Sequence, residues 1–268
     1  MWQQIIQNIQ LGDIRTLARS ISIIENENEG YETLLTLLPS SSVPVIGITG
    51  APGAGKSTLT DALIGEIVAQ QKKVAVLCVD PSSPFNKGAV LGDRIRMSDW
   101  YTHPDVFIRS LGSRGSLGGL HPHIIEITDL IKIAGFDYVL VETVGVGQSE
   151  IEISGLADIT IVVVVPEGGD EIQTMKAGIM EIADIFVVNK SDRPDADRFM
   201  KNLNLMLAPA FNRVDHPEIK VIKTVAAEKT GIKELYDAII SLTQQLQQSP
   251  EKYWLLAEKA YQLIQQRR

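Results

Sequence analysis

One stretch constrains the fold of this chain more than any other, because it ties a strand, a turn and a helix together. GAPGAGKS, residues 50–57, follows an apolar run rich in β-branched residues and precedes an amphipathic run. This is the complete spacing of a phosphate-binding loop. Its glycines let backbone N–H groups converge on a β-phosphate, Lys56 neutralises the β- and γ-oxygens, and the Ser57 hydroxyl can ligate Mg²⁺. The predicted nucleotide contacts here are Gly50, Ala51, Pro52, Gly53, Ala54, Gly55, Lys56, Ser57 and Thr58.

Beyond this loop, the chain alternates apolar runs with amphipathic ones. Near-continuous apolar strands that alternate with helices predict an α/β fold, in which a mostly parallel sheet is flanked by helices. Helical extensions are predicted at both termini. The seven predicted strands are VIGIT, VAVLCVD, VFIRS, YVLVE, ITIVVVV, IFVVNK and IKVIKT.

The 268 residues divide into three predicted parts. Residues 1–42 form an N-terminal helical extension, with apolar residues on one face and Asp13 as an N-cap. Residues 43–248 form the nucleotide-binding domain. Residues 249–268 form a C-terminal helix, which Ser249 can cap with Pro250 at its first position. The apolar face of this helix fits a contact with its own domain as well as a dimer or partner contact.

Composition and charge exclude several classes of protein. The formal net charge is −8 and no block of Lys or Arg stands out, so we expect no nucleic-acid partner. The longest apolar run is too short to span a bilayer, and the N-terminus lacks the pattern of a signal peptide. Cys78 is the one cysteine, which fits a reducing cytosol, and the four histidines form no metal-binding spacing with it. We therefore expect a cytoplasmic protein without membrane contacts.

A second motif, NKSD, follows the strand IFVV and predicts which base is bound. A carboxylate at Asp192 can accept hydrogen bonds from both N1–H and the exocyclic amine of guanine, whereas adenine offers no such donor pair. We therefore predict GTP and GDP as ligands, contacted by Asn189, Lys190 and Asp192. The segment TVAAEKTG follows the last strand, and its backbone is predicted to reach the guanine oxygen at Val225, Ala226 and Ala227.

The run LVETVGVGQSE, residues 140–150, ends a predicted strand in an acidic side chain. Glu142 is predicted to hold Mg²⁺ through water, and the Gly145 amide, three positions later, to contact the γ-phosphate. Val146 stands where a water-positioning Gln is common, and its side chain cannot orient a water. The hydrolytic group must come from elsewhere, with Asp93 as the first candidate and Gln148 as the second, or from a partner. We therefore expect slow intrinsic turnover of GTP.

Two aspartates complete the predicted metal site. Asp80 ends the strand VAVLCVD, and a carboxylate at that end of a parallel strand faces the nucleotide crevice. A turn-initiating Asp before Pro81 is the competing interpretation. Asp93 lies in a long, glycine-punctuated connection of a kind that often moves in such domains. The predicted metal ligands are Ser57, Asp80, Asp93 and Glu142, and the predicted catalytic residues are Lys56, Asp93, Glu142 and Gln148.

Together these segments resemble the MeaB/ArgK/MMAA family of P-loop GTPases over nearly the whole chain. A phosphate loop indicates only an NTPase, whereas ETVGVGQSE and GDEIQTMKAGIMEIAD point to this family. The resemblance also covers VDPSSP, LGDRIRM, SLGGL and GDIRTLARSISIIEN. It implies a GTPase chaperone for an adenosylcobalamin-dependent acyl-CoA mutase, typically methylmalonyl-CoA mutase, which gates cofactor delivery and protects or reactivates the mutase.

The resemblance further implies which segments respond to GTP. It places Asp93 in a first switch, residues 142–150 in a second, and residues 168–176 in a third that touches the mutase. Members of the family are usually homodimers through a C-terminal helical arm. The sequence ends soon after its last predicted helix, so we expect an abbreviated arm and a homodimer only if that helix suffices.

Two other functions stay open at the level of sequence. A GTPase that inserts nickel into hydrogenase or urease also carries Glu in its Mg²⁺ motif, but such proteins generally bring Cys or His clusters. An ATPase or kinase that serves amino-acid transport is opposed by NKSD, because this motif selects guanine.

Overall fold

In a computed structural model of the protein, the described residues are 1–80, 97–112, 120–143, 149–166, 180, 182–207 and 219–248. Several sequence predictions lie outside them: the sites at Asp93, Gly145 and Gln148, the third switch at residues 168–176, and the C-terminal helix at residues 249–268 with the dimerisation assigned to it. Asp80 is described in its backbone only. No helix in the described part of the chain is both long and apolar enough to cross a membrane.

The centre of the molecule is a seven-stranded sheet in the order β3-β2-β4-β1-β5-β6-β7. All six pairings between these strands are parallel, which confirms the predicted fold class and all seven predicted strands. The strands are β1 (Val45–Gly50), β2 (Val74–Asp80), β3 (Val106–Gly112), β4 (Tyr138–Glu142), β5 (Ile159–Val164), β6 (Ile185–Val188) and β7 (Lys220–Lys223).

Helices cover both faces of the sheet, as continuous apolar strands require. Two short 3₁₀ helices, Ser98–Trp100 and Ala226–Glu228, precede β3 and follow β7. The α-helices bounded within the described residues are α1 (Trp2–Gln10), α2 (Ile14–Glu25), α3 (Tyr31–Thr36), α4 (Lys56–Ala69), α5 (Ile124–Lys132), α6 (Ser149–Leu156), α7 (Ala196–Leu207) and α8 (Ile232–Gln248).

Alternate residues of β1 show how the two faces are filled. Ile46 and Ile48 are fully buried in a hydrophobic cluster that contains residues of α4 and α8. On the other face, a Cβ at Gly47 would lie 2.5 Å from Cγ1 of Ile153, so α6 packs directly on the β1 backbone. The strand that leads into the phosphate loop is therefore held from both sides.

The N-terminal helices pack on the same face as α5. Leu17, Ile21 and Ile24 of α2 are fully buried in one hydrophobic cluster with residues of α5 and the sheet. Asp13 caps α2, as predicted: its carboxylate accepts from the backbone N–H groups of Arg15 and Thr16. The side-chain hydrogen bond from Thr16, followed by the backbone one, holds the pKa of Asp13 below its usual value. The boundary at residue 42 stays a prediction.

Three aspartates bind neighbouring strands together at the amino end of the sheet. Each directly precedes a strand and accepts a hydrogen bond from a backbone N–H of the adjacent strand or the residue just before it. The bonds run from Lys73 N to Asp137 (2.8 Å), from Val45 N to Asp158 (2.8 Å) and from Thr160 N to Asp184 (2.7 Å). The first N–H groups of a strand have no partner in a parallel ladder unless such an acceptor supplies one.

Candidate functional site

The phosphate loop begins where β1 ends, and two of its glycines have no possible substitute. Gly50 has φ +138° and a Cβ there would lie 2.2 Å from the carbonyl oxygen of Val163. Gly55 has φ +92°, and its Cβ would lie 2.4 Å from Nδ2 of Asn189. Both positions combine a left-handed backbone with a close neighbour, so a side chain is excluded on two grounds. The backbone geometry of the loop therefore requires glycine at both positions.

Lys56 is the first residue of α4 and is only 7% exposed. Its Nζ donates to the carbonyl oxygens of Gly50 at 2.8 Å and Ala51 at 3.1 Å, so the ammonium lies across the mouth of the loop. No side chain caps the N-terminus of α4. The first N–H groups of a helix point away from its own carbonyls, and together with an adjacent ammonium they make this a site for a phosphate. Within the loop, Ala54 is buried, whereas Pro52, Gly53 and Thr58 are exposed.

Ser57 and Glu142 meet at the carboxyl end of the sheet. The Ser57 hydroxyl donates to Oε1 of Glu142 at 2.6 Å, and the two residues are 5% and 4% exposed. Glu142 is the last residue of β4 and stands in register with Ile48 of β1 and Cys78 of β2. The structure thus brings together two of the four predicted metal ligands. A hydroxyl and a carboxylate are the hard oxygen ligands that Mg²⁺ prefers, so this pair fits the predicted ion.

Asp80 lies two residues beyond Cys78 on the same strand, which places its backbone at this same edge of the sheet. Thr143, directly after Glu142, was not predicted from the sequence. It is 1% exposed, its N–H donates to Ile48 O at 3.0 Å, and its hydroxyl donates to Oγ1 of Thr49 at 2.9 Å. These bonds fix the chain where it leaves β4 towards the predicted phosphate-sensing segment.

Asn189 connects three segments of the predicted nucleotide site. It is 2% exposed, and its Nδ2 donates to the carbonyl oxygen of Ala54 in the phosphate loop at 2.9 Å. Its Oδ1 accepts from the Thr224 hydroxyl and from the Ala226 N–H, both at 3.1 Å. Next to it, Lys190 donates from Nζ to Gly53 O at 2.8 Å. The motif NKSD therefore contacts the phosphate loop through two side chains, and Asn189 holds the last segment in place.

The remaining base-contact residues lie beside this connection. Asp192 is exposed on the loop after β6, where its carboxylate is available to a ligand. Among the three backbone groups predicted after β7, the N–H of Val225 donates to Thr230 O at 3.1 Å and the N–H of Ala226 is used by Asn189. Ala227 is exposed. It is thus the best placed of the three to donate to a base.

A glycine-rich loop that opens a buried helix, a carboxylate at the end of the neighbouring strand and an Asn-Lys-x-Asp loop that binds the glycine-rich loop define a P-loop GTPase. The sequence comparisons agree with this class. The chain belongs to the family described as methylmalonyl-CoA mutase-associated GTPase MeaB, whose model matches residues 17–266. It is therefore an enzyme that converts GTP to GDP and phosphate, as the resemblance implied.

Relatives support the same assignment. The chain is 37% identical over 269 residues to GTPase ArgK of Escherichia coli, covering 93% of this chain and 81% of that one. It is 38% identical over 264 residues to the mitochondrial methylmalonic aciduria type A homolog of Caenorhabditis briggsae, covering 88% of this chain and 64% of that one.

Solved structures show the same fold. A crystal structure described as LAO/AO transport system kinase superposes with a TM-score of 0.79 at 28% identity, covering 99% of this chain and 82% of that chain. The hydrogenase maturation factor HypB of Archaeoglobus fulgidus superposes with a TM-score of 0.57 at 20% identity, covering 84% and 99% respectively. The second likeness is one of fold alone.

Proposed function

We propose that this GTPase serves an adenosylcobalamin-dependent acyl-CoA mutase of the methylmalonyl-CoA mutase type. GTP binding and hydrolysis would gate loading of the cofactor and protection of the mutase. The family to which the chain belongs is described by its association with methylmalonyl-CoA mutase, which supports a mutase as the partner. The observation that carries the nucleotide part is the connection through Asn189, because it couples the base-contact segments to the phosphate loop.

The proposal includes Mg²⁺, held by Ser57 and Glu142 with Asp80 nearby. The bound ion would neutralise charge on the β- and γ-phosphates. The chain's own contribution is to fix two buried oxygen ligands 2.6 Å apart, Ser57 from the start of α4 and Glu142 from the end of β4. Lys56, held against the loop carbonyls, stabilises negative charge on the transferred phosphoryl group.

Water activation is the part of the reaction for which the sequence offers two candidates, Asp93 and Gln148. Both follow elements that end at the site, β2 and β4 respectively. Since the Val146 side chain offers no polar atom to a water, we propose slow turnover in the isolated chain and completion of the site by movement of these segments or by the mutase. A single-turnover rate for the isolated chain that equals its rate with the mutase would contradict this.

The guanine assignment is tested by Asp192→Asn. Asn keeps one acceptor oxygen and loses the other, so GTP should bind roughly ten- to a hundredfold more weakly, since one hydrogen bond to a charged group contributes about 1.5–3 kcal/mol. The amide can instead donate to the second oxygen of xanthine, so affinity for XTP should rise. The matched control is Asp195→Asn, an exposed aspartate on the same loop whose φ of +68° Asn tolerates. Unchanged GTP affinity in Asp192→Asn would refute the assignment.

The partner is tested by nucleotide-dependent capture from the native extract, with identification by mass spectrometry. Asp192→Asn loaded with a non-hydrolysable XTP analogue should recover the same mutase as the parent loaded with the GTP analogue. The same variant given the GTP analogue should recover less. Recovery of a nickel enzyme or a transporter in place of a mutase would overturn the proposal.

One alternative has a specific observation in its favour. The structure described as LAO/AO transport system kinase covers nearly the whole chain at 28% identity, so a role in amino-acid transport is the second candidate. An ATPase or kinase in that role must select adenine, or at least tolerate it. Asp192 opposes this because its carboxylate favours guanine. For nickel insertion, the described residues contain no group of three His, Cys, Asp or Glu side chains that could hold a metal.

A further inference from the structure

A hydrogen bond between two buried threonines joins the carboxyl ends of β1 and β4 beside the predicted metal site. The Thr143 hydroxyl donates to Oγ1 of Thr49 at 2.9 Å, and the two residues are 1% and 0% exposed. Thr49 precedes Gly50, where the phosphate loop begins, and Thr143 follows Glu142. The bond therefore connects the residue before the phosphate loop to the residue after a predicted Mg²⁺ ligand.

Glu142 is the last residue of β4, and the end of a strand frays unless the residue after it is held. Thr143 has two bonds to β1: its N–H donates to the carbonyl oxygen of Ile48 at 3.0 Å, and its hydroxyl binds Thr49. Thr49 is itself fixed, because it lies within β1 in register with Val162 of β5. The bond between the threonines thus attaches the end of β4 to the middle of the sheet.

The end of β4 is held on both faces of the sheet. On the face that α4 covers, Oε1 of Glu142 accepts from the Ser57 hydroxyl at 2.6 Å. Thr49 lies on the opposite face, which α6 covers, because it is two residues beyond Gly47 and side chains alternate along a strand. Removal of the hydroxyl bond would leave Thr143 attached to β1 by one backbone bond. The Glu142 carboxylate would then be oriented less strictly towards Ser57.

We infer that Thr49 and Thr143 are positioning residues for Mg²⁺, and that their hydrogen bond holds Glu142 in the orientation that the ion requires. The inference rests on the Mg²⁺ site of the proposed function. Mg²⁺ demands near-ideal octahedral geometry of its oxygen ligands, bound waters included, so a carboxylate that orients them must itself be oriented. A displaced Glu142 should therefore weaken Mg²⁺ binding while the phosphate loop still binds the nucleotide.

Four variants and one control separate the hydrogen bond from the packing. Thr143→Val and Thr49→Val each remove one hydroxyl and keep the β-branched shape, whereas Thr143→Ser keeps the hydroxyl. The double valine variant leaves neither hydroxyl without its partner, so it should fold even where a single variant is destabilised. The matched control is Thr128→Val, which removes a buried hydroxyl bond, to the carbonyl oxygen of Ile124 at 2.7 Å. Its helix, α5, carries none of the predicted nucleotide contacts.

Release of a fluorescent GDP analogue from the full chain, measured as Mg²⁺ is varied, gives the effect without hydrolysis. In excess EDTA every variant should release GDP at the parent rate, because the phosphate-loop and base contacts are unchanged. The Mg²⁺ concentration that gives half of the full slowing should rise roughly three- to tenfold in both valine variants, as loss of one neutral hydrogen bond predicts. The double variant should equal either single one, since both remove the same interaction. Thr143→Ser and Thr128→Val should match the parent.

Two results would overturn the inference while the parent still responds to Mg²⁺. One is a Mg²⁺ response of the double valine variant that equals that of the parent. The other is GDP release that is faster by the same factor in EDTA and in Mg²⁺, because the threonines would then support the phosphate loop as a whole. A parent whose GDP release does not respond to Mg²⁺ would instead refute the metal site of the proposed function, and the inference with it, so the two failures are distinct.

Discussion

The two ends of the sheet use polar groups in different ways. At the amino end, Asp137, Asp158 and Asp184 each bind one backbone N–H on a neighbouring strand or just before it. At the carboxyl end, Asn189 makes three bonds to two other segments, the phosphate loop and the segment after β7, while Ser57 and Glu142 bind each other across two elements. The amino-end bonds are separate from one another, whereas the three carboxyl-end bonds of Asn189 share one side chain.

This difference has a physical consequence for mutation. Free-energy changes at separate sites add, whereas changes in one network do not. We therefore expect substitutions at the amino end to lower stability one bond at a time without a specific effect on nucleotide binding. Substitutions at the carboxyl end should affect nucleotide binding or turnover by more than they affect stability.

The largest expected effect is that of Lys56→Ala on hydrolysis. Loss of a preorganised cation at a developing negative charge costs roughly 10²–10³ in kcat. The matched control is Lys72→Ala at the amino end, where Lys72 forms an ion pair with Asp137 at 3.0 Å on the surface. Single-turnover GTP hydrolysis should be nearly abolished in the first variant and normal in the second. A normal rate in Lys56→Ala would contradict the expectation that substitutions at the carboxyl end affect turnover more than those at the amino end.

The second prediction concerns Asp158→Ala at the amino end. Val45 is 2% exposed, so its N–H would lose its acceptor in a place that water reaches poorly. The free energy of unfolding should fall by about 1–3 kcal/mol, the usual cost of an unsatisfied buried donor. Asp158→Asn retains an acceptor oxygen and should lose less. Urea unfolding measures the stability, and GDP titration of the folded variants should give the parent affinity; a weakened affinity would show that the two ends are coupled.

The third prediction is a pH dependence that belongs to the amino end. Burial, and then a hydrogen bond with Tyr138, raises the pKa of Tyr236 above its ordinary value. The unfolded chain releases this proton near pH 10, whereas the folded chain retains it, so unfolding becomes easier as the pH rises above about 10. Tyr236→Phe should lack this part of the alkaline loss of stability.

Thermal unfolding of the parent and Tyr236→Phe at pH 8 and near pH 10.5 measures this effect. The difference in midpoint between the two pH values should be smaller in the variant. Equal differences in the two proteins would show that Tyr236 does not titrate differently in the folded and unfolded states.

The contrast between the ends also explains what the sequence could predict. Strands such as ITIVVVV are easily predicted from sequence, because a strand buried on both faces of the sheet needs continuous apolar residues. The binding roles predicted for Ser57, Lys56 and Asn189 follow from motifs whose spacing is local. The aspartates of the amino end were missed, although a signal exists: FDYVLV, ADITIV and ADIFVV each place Asp directly before an apolar run.

Other features could not be read from spacing, because they depend on how distant segments meet. The hydrogen bond from the Ala226 N–H to Asn189 joins residues 37 positions apart in sequence, and the bond from Trp100 to Asp61 joins residues 39 positions apart. Thr143 and Thr49 are 94 positions apart. A buried threonine has no sequence signal of its own, since its hydroxyl becomes significant only when the fold supplies a partner. The sites at Asp93, Gly145 and Gln148 stay predictions.

The smallest expected effect compares two glycines, one at the N-cap of α4 and one inside that helix. Gly65 is inside the helix, where glycine costs about 0.5–1 kcal/mol relative to alanine. An alanine Cβ there would make an ordinary contact with the Trp100 ring at 3.5 Å, so Gly65→Ala should raise the free energy of unfolding by up to that amount and leave GDP affinity unchanged. Gly55→Ala should instead lower the free energy of unfolding and weaken GDP binding, because its Cβ would lie 2.4 Å from Asn189 and its φ is +92°. The same substitution would then have opposite effects on stability at these two positions. Equal effects from both would mean that helix propensity, rather than the backbone geometry of the phosphate loop, decides which glycines the chain can replace.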